Sequence, residues 1–315
     1  MTLAGTQSPP ASFIMLTFNQ QDSVAKAVQS VLDQQCEPIE IIISDDCSTD
    51  RSFEIIQDVV ERYEGPHHVI ARRNDVNLGV NAHIECAIGL STADLMIWTA
   101  GDDINTENRA ARILETVRER PAKLLFSDAR TKSADGGDGR DAYRRALFYR
   151  DYSMVDAALS FELYLGATVA WHKDLYLKYG GFPTDTAYED LILGFRAVLE
   201  DSIDYIAEPL VIYQEGVGVS NLLSRQTSKL PNSERRIAVL TLQLNVLKQR
   251  LADTRTFGLL QRHPVVTALC RRIETVESRL LYYQWDWASV WAKCGRPIRF
   301  SHALLSEMVR DLRQR

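Results

Sequence analysis

The chain reads as an α/β protein, a mostly parallel sheet flanked by helices, with a helical C-terminal extension. Three observations predict this. Apolar runs of strand length alternate with stretches carrying apolar residues at helical spacing, the pattern of parallel β-α-β units with right-handed crossovers. One run, Leu95 to Asp103 (LMIWTAGDD), ends abruptly in two adjacent carboxylates, and the carboxyl edge of an open α/β sheet is where ligands bind. Beyond residue 224 the periodicity becomes helical throughout and the charge changes sign. Residues 1–224 hold 19 Lys+Arg and 35 Asp+Glu, net −16, whereas residues 225–315 hold 17 and 7, net +10.

The elements follow in order. SFIML (Ser12 to Leu16) is a short buried strand that leaves the core at Thr17, Phe18 and Asn19. Asp22 or Ser23 is placed to cap a helix whose apolar positions Val24, Ala27, Val28, Val31 and Leu32 fall on one face. After Pro38, IEIIIS is a second buried strand ending at Asp45 and Asp46, and a helix follows with Phe53, Ile56, Val59, Val60 and Tyr63 inward. Val69 to Ala71 suggests a third strand, Asn74 to Gly79 a turn, and Asn81 to Leu90 a helix leading into LMIW. Gly101 is expected to let the backbone turn as that strand exits. Paired carboxylates there repel each other and lose hydration, so they call for a cation or donor groups; a solvated Asp-Asp turn is the plainer alternative.

The composition, 45% hydrophobic and 25% charged over 315 residues, is that of a globular protein of one large domain or two. MTLAGTQSPPAS lacks a basic start and an apolar core of signal-peptide length, and no apolar run approaches the ~18 residues of a membrane span, so the expected location is cytoplasmic. Cys36, Cys47, Cys86, Cys270 and Cys294 are scattered without a C-x-x-C pair, which argues against a zinc site or disulfide framework. The first strand-helix turn contains no G-x-G-x-x-G, which disfavours a dinucleotide-dependent dehydrogenase.

The segments FIMLTFN, SVLDQQCEPIEIIISDDCSTD, NLGVNAHIECAIGLSTADLMIWTAGDD and GGFPTDTAYEDLILGFRAV, in that order and spacing, resemble the family 2 glycosyltransferases of GT-A fold. The resemblance covers roughly residues 12–215. It implies transfer of a sugar from a nucleotide diphosphate donor, UDP- or dTDP-linked, to an acceptor hydroxyl with inversion, in bacterial cell-surface polysaccharide or glycoconjugate assembly. It places Thr17, Phe18 and Asn19 under the nucleotide, where the ring of Phe18 can stack on a base; a β-α turn with one core aromatic is the other reading. It matches Asp46 to a carboxylate that accepts from the imide N–H of a pyrimidine, and acceptor-only chemistry suits that edge. Capping of the next helix falls to Ser48, Thr49 and Asp50. Asn77, Gly79 and Asn81 join the donor site. Asp103 becomes a ligand of Mg²⁺ or Mn²⁺, with Asp102 on the metal, on a metal-bound water or on the ribose. The family's motif carries a further acid where this chain has Ala100. Asp190 is matched to the general base that takes the acceptor proton, oriented by Glu189. Gly166, Thr168 and Trp171 are expected to line the acceptor side, and SADGGDGRDAYRR (133–145) reads as a lid bearing Arg140, Arg144 and Arg145, or as a plain loop.

The charge asymmetry and the helical periodicity divide the chain into 1–224, which the resemblance makes the catalytic domain, and a basic helical region at 225–315. In the latter, Ile237, Leu240, Leu244, Leu247 and Leu251, and then Val266, Leu269, Ile273, Val276 and Leu280, form stripes that suit packing on the first domain or a homodimer. Ser301 to Arg315, with Leu304, Leu305, Met308, Val309 and Leu312, suits either packing or a peripheral seat on the inner face of the cell membrane. Nucleic acid is disfavoured because no reader motif accompanies the charge. The partners expected are a nucleotide-sugar donor and a glycan or lipid-linked glycan acceptor. Two other classes remain open: a sugar-phosphate nucleotidyltransferase, which would want a glycine-rich basic loop after Leu16, and a non-catalytic nucleotide-sugar-binding scaffold.

Overall fold

The computed structural model describes residues 8–132, 142–182, 188–214, 232–284 and 297–314. Strands β1 (Ser12–Thr17), β2 (Glu40–Asp45), β3 (His68–Arg73) and β4 (Leu95–Ala100) alternate with helices α1 (Val24–Leu32), α2 (Ser52–Val60) and α3 (Val80–Leu90). These are the elements the sequence pattern predicts. Then come β5 (Ile104–Asn105), α4 (Arg109–Glu119), β6 (Leu124–Lys132), α5 (Met154–Leu159), β7 (Ala170–His172), α6 (Asp174–Leu177), α7 (Glu189–Leu199) and β8 (Ile203–Gln214). The basic region supplies α8 (Asn232–Phe257), α9 (Pro264–Gln284) and α10 (Pro297–Gln314).

The strands form one sheet in the order β3-β2-β1-β4-β7-β6-β8-β5. β1 to β4 pair in parallel, β7 is antiparallel to both its neighbours, and β5 is antiparallel to β8. The apolar runs are continuous because both faces are covered. Phe13, Met15, Ile41, Ile43, Leu95 and Ile97 point to a cluster under α1, α2 and α4, while Ile14, Ile42, Met96 and Trp98 point the other way. That second cluster includes α7 and the stripes of α8 and α9, from Leu240 and Leu247 to Leu269, Val276 and Leu280. The sheet and these two helices therefore share one core. The boundary expected at 224 falls in residues 215–231, outside the described residues.

Two expectations change. Ser23 holds the N-cap position of α1, but its hydroxyl donates to the carbonyl of Gly101 (2.9 Å) instead of capping the helix. The chain does turn at Gly101, with Asp103 N–H donating to Ala100 O at 3.1 Å, but the turn needs no left-handed backbone there. What excludes a side chain there is crowding, since a Cβ would lie 2.6 Å from Gln20 Oε1 and 2.9 Å from Thr17 Oγ1.

The apolar stripe of α10 is split. Ala303 and Glu307 face inward, and Glu307 is held by Arg236, Arg279 and Tyr283. Leu305, Met308 and Val309 are 57%, 50% and 45% exposed among the described residues. Among the described residues no helix is long and apolar enough to cross a membrane.

Candidate active site

Parallel pairing brings the carboxyl ends of β1, β2 and β4 to one edge, and main-chain bonds continue the pairing beyond the strands. Asp46 N–H donates to Thr17 O (2.9 Å), Gly101 N–H to Leu16 O (3.0 Å) and Asn74 N–H to Asp45 O (2.8 Å). The loops after β1 and β2 are latched to each other. Asn19 N–H donates to Ser48 Oγ, Thr49 N–H to Asn19 Oδ1, Gln20 N–H to Ser52 Oγ and Gln21 N–H to Asp50 Oδ2. Asn19 adopts φ 53°, a left-handed conformation that asparagine tolerates, and this turns its amide toward Thr49. Ser48 and Thr49 thus join the two loops and do not cap α2, whose N-cap position is Arg51 without a side-chain cap; of the three residues expected to cap it, only Asp50 reaches the helix, accepting from Ser52 N–H (2.9 Å).

The two carboxylates after β2 divide their work. Asp45 is fully buried, accepts from Ser48 N–H and Oγ and pairs with Arg73 at 3.5 Å. Asp46 accepts from Asn74 Nδ2 (2.7 Å) and from the backbone N–H groups of Leu78 (2.9 Å) and Gly79 (3.0 Å). It therefore shapes the Asn74–Gly79 turn, where Gly79 has φ 76° and Asn77 Oδ1 also accepts from Gly79 N–H. A carboxylate offers about four lone-pair sites, so these three bonds leave one acceptor site for a base. Asn81 is buried in the first turn of α3 behind this loop, while Phe18 is half-buried and belongs to neither hydrophobic cluster.

Asp102 and Asp103 follow β4 and are both buried. Burial raises both carboxyl groups; Asp103 reaches about 8, with Asp102 adding repulsion and Arg109 opposing it. Arg109, from the start of α4, is completely buried and donates to Asn105 Oδ1, Trp98 O (2.9 Å) and Val169 O (3.3 Å). Its charge opposes the rise of Asp103, as the Gln20 side chain does for Asp102 by hydrogen bonding, and its own pKa is pushed down to about 9 by burial. Among the described residues no three His, Cys, Asp or Glu side chains are grouped to hold a metal. Two desolvated carboxylates nevertheless fit a hard divalent cation, because Mg²⁺ is commonly held by one or two carboxylates plus substrate phosphates.

β7 runs antiparallel to β4 with Ile97 opposite Ala170, so the short turn Gly166–Thr168 before β7 stands at this same edge. Asp190 faces that turn: a Cβ on Gly166 would lie 3.7 Å from Asp190 Cβ and 3.8 Å from its Oδ2. Glu189 and Asp190 form the first turn of α7, where the helix dipole favours carboxylates, and Asp190 Oδ1 accepts from Leu191 N–H at 2.7 Å. Enclosure by protein atoms raises Asp190 to about 6 and Glu189 to about 7, with mutual repulsion adding to the latter. Of the residues expected on the acceptor side, Gly166 faces Asp190, whereas Thr168 and Trp171 are buried in the core, Trp171 stacking on Trp98 with ring centroids 5.5 Å apart. In the expected lid, Arg140 lies outside the described residues and Arg144 pairs with Asp128 at 3.0 Å.

Three contributors were not singled out from the sequence. Arg109 and Arg250 arrive from helices with basic composition, where arginine normally signals solvent. Tyr164 is buried with an unpartnered hydroxyl among the described residues, and the charges of Asp190 and Glu189 push its pKa up further than burial alone does. Thr17 Oγ1, buried beside Gly101, is likewise unpartnered. Buried polar atoms seldom lack partners, which sets both hydroxyls apart from the rest of the core.

Residues 12–173 match the model of "Glycosyl transferase family 2". The abequosyltransferase RfbV of Salmonella typhimurium is 30% identical over 157 residues, 49% of this chain. The chain spans about half the length of such curated relatives, 46% of RfbV and 58% of an uncharacterized protein of Mycobacterium bovis. Among solved structures, S. aureus TarS 1–349 in complex with UDP-GlcNAc superposes with TM-score 0.54 at 14% identity, covering 87% of each chain. The mannosyltransferase PcManGT of Pyrobaculum calidifontis, in complex with GDP-Man and Mn²⁺, gives 0.55 at 15% identity over 98% of this chain and 81% of its own. The fold is accordingly of GT-A type, and the chain belongs to glycosyl transferase family 2.

Proposed function

We propose that the protein transfers a sugar from a UDP- or dTDP-linked donor to an acceptor hydroxyl with inversion, in the assembly of a bacterial cell-surface polysaccharide or glycoconjugate. The observation that carries this is the meeting at one sheet edge of two carboxylate pairs, Asp102–Asp103 and Glu189–Asp190, with the second facing a glycine turn. Asp190 accepts the proton of the acceptor hydroxyl as that oxygen bonds to the anomeric carbon, and the anomeric C–O bond to the diphosphate breaks with its electron pair leaving on phosphate. Attack opposite the departing group inverts the centre. Glu189 keeps the acceptor oriented; Thr17, Phe18, Asn19, Asp46, Asn77, Gly79 and Asn81 hold the nucleoside and sugar. Asp103, with Asp102 beside it, would hold Mg²⁺ or Mn²⁺, which would supply counter-charge to the departing diphosphate. The relatives' names support the pathway: RfbV is an abequosyltransferase, and TuaG of Bacillus subtilis, 32% identical over 129 residues, is a putative teichuronic acid biosynthesis glycosyltransferase.

Thermal-shift measurements with UDP, dTDP and GDP sugars plus Mn²⁺ identify the donor, since a ligand of the native state raises its stability by mass action. With that donor, Asp190→Asn is expected to cut turnover by ~10² or more while leaving UDP affinity nearly unchanged, the usual worth of general-base catalysis being 10²–10⁴. A large loss of UDP affinity instead would assign Asp190 to the donor site, and retained turnover would remove it from the chemistry.

We further propose a cytoplasmic enzyme seated peripherally on the membrane through α10, where a lipid-linked acceptor would be presented. Support comes from the exposed Leu305, Met308 and Val309 next to a depression lined by Arg235, Arg236, Val239 and Arg310. Lys or Arg beside an apolar stripe suits anionic lipid.

A further inference from the structure

Arg250 is the most heavily bonded arginine around the candidate base, and it comes from α8, sixty residues further along the chain. It has no solvent exposure. Its Nε and Nη2 donate to Leu191 O (3.2 and 2.8 Å), the carbonyl next along the chain from Asp190. Its Nη1 donates to the carbonyls of Ala157 (3.1 Å), Ala158 (3.0 Å) and Ser160 (2.6 Å) at the end of α5. The last carbonyls of a helix are the groups that want a cation, and here they receive a guanidinium that also grips the first turn of α7. Phe161 and Phe195 lie against its cationic face at 5.9 and 5.6 Å.

A lysine would satisfy neither the fork geometry nor the number of acceptors, and burying a full charge for packing alone is costly. We propose that Arg250 is a positioning residue for Asp190: it bolts the turn that carries the carboxylate to the end of α5 and sets a fixed positive charge beside it. This rests on the reading of Asp190 as the base. The groups that bear on Asp190 are Glu189 on its own helix, Tyr188 at the helix cap, Tyr164 from the segment after α5, and Arg250 from α8. Asp253, one turn beyond Arg250, is engaged by Arg196 at 3.0 Å. Of these, Arg250 alone favours the ionised base; burial works against it.

The test is a titration of the full chain carrying ¹³C-carboxyl aspartate, with the Asp190 resonance assigned by its loss in Asp190→Asn. Wild-type Asp190 is expected to titrate at about 6. In Arg250→Met it is expected to rise by about 1 unit or more, as removal of a close opposite charge does, and in Arg250→Lys to stay near the wild-type value. An unmoved Asp190 in Arg250→Met overturns the electrostatic half. Amide hydrogen exchange in Arg250→Lys reads the other half, and does so even if the methionine variant does not fold: the amides of the first two turns of α7 are expected to exchange at least ~10-fold faster, as loosened local structure does. Wild-type protection there overturns the clamp. Neither measurement needs turnover, so full activity in Asp190→Asn would defeat the reading of the base while leaving the Arg250 result legible in its own right.

Discussion

Asp103 is the residue whose protonation the fold perturbs in the most testable way. Its carboxyl group rises from 3.8 to about 8 on folding because it is buried beside Asp102. Below pH ~4 both folded and unfolded chains hold the proton and the residue has no pH-dependent cost; as the pH climbs toward 8 the unfolded chain releases it while the folded one retains it, and stability is lost across that window. Asp103→Asn, uncharged at every pH, is therefore expected to melt higher than wild type at pH 8 in EDTA and to match it near pH 4, by about 2–4 °C for each kcal/mol recovered. Calorimetry at the two pH values checks this, and added Mn²⁺ should reverse the order at pH 8, since the cation stabilises only the protein that keeps the carboxylate. A lower melting point for the variant in EDTA at pH 8 would mean that the pair is already compensated from within. The two Asp residues were singled out through the family resemblance, since from the residues alone a solvated Asp-Asp turn is the plainer reading. Arg109 was not, because an arginine opening a helix gives no sign that it turns inward to Trp98 and Val169.

The elements were legible where both faces of a strand are covered, since β1, β2 and β4 then read as unbroken apolar runs. β5, β6 and β8 were not read: β8 mixes buried Ile206, Leu210 and Val211 with exposed and half-exposed neighbours, and its partner β6 lies some eighty residues away, so no local period marks it. The strand-end glycine shows how a correct residue can be read for the wrong reason. Gly101 is needed for close approach, because Ser23 Oγ donates to its carbonyl and the Thr17 and Gln20 side chains lie where a Cβ would go. In Gly101→Ala the long Gln20 side chain can swing aside, but Thr17 is buried and β-branched, with few rotamers to offer. Overpacking of this kind typically costs about 1–3 kcal/mol. Urea denaturation should show a loss in that range, and UDP titration should show weaker binding because the loops after β1 and β4 move apart. Unchanged stability with unchanged UDP affinity would mean that the two loops are free to separate without consequence for the donor.

At the scale of the whole molecule, the described residues beyond 231 are helical, and two of their helices share the core with the sheet. α8 and α9 add to the core on one face of the sheet, and α8 brings Arg250 and Asp253 to the neighbourhood of α7. A compositional boundary could not reveal that, because charge counts describe the outer surface of a helix and these residues lie on its inner one. α10 differs: of its described residues Ala303 and Glu307 are buried, while Leu305, Met308 and Val309 are exposed. Deleting the helix would strip Arg236 and Arg279 of their carboxylate and confuse stability with binding, so the sharper variant is Leu305→Ser with Met308→Ser and Val309→Ser, which leaves Glu307 in place. Wild-type protein is expected to co-sediment with vesicles containing phosphatidylserine at low salt and to be released as salt shortens the Debye length from ~8 Å at 0.15 M to ~3 Å at 1 M. The triple variant should stay in the supernatant, and neutral vesicles should pellet neither. A homodimer through the same stripe predicts something else, a wild-type sedimentation coefficient that falls to the monomer value in the triple variant without any lipid. Equal pelleting of both proteins on anionic vesicles would detach the stripe from membrane binding altogether and leave the arginines of the neighbouring depression as its source.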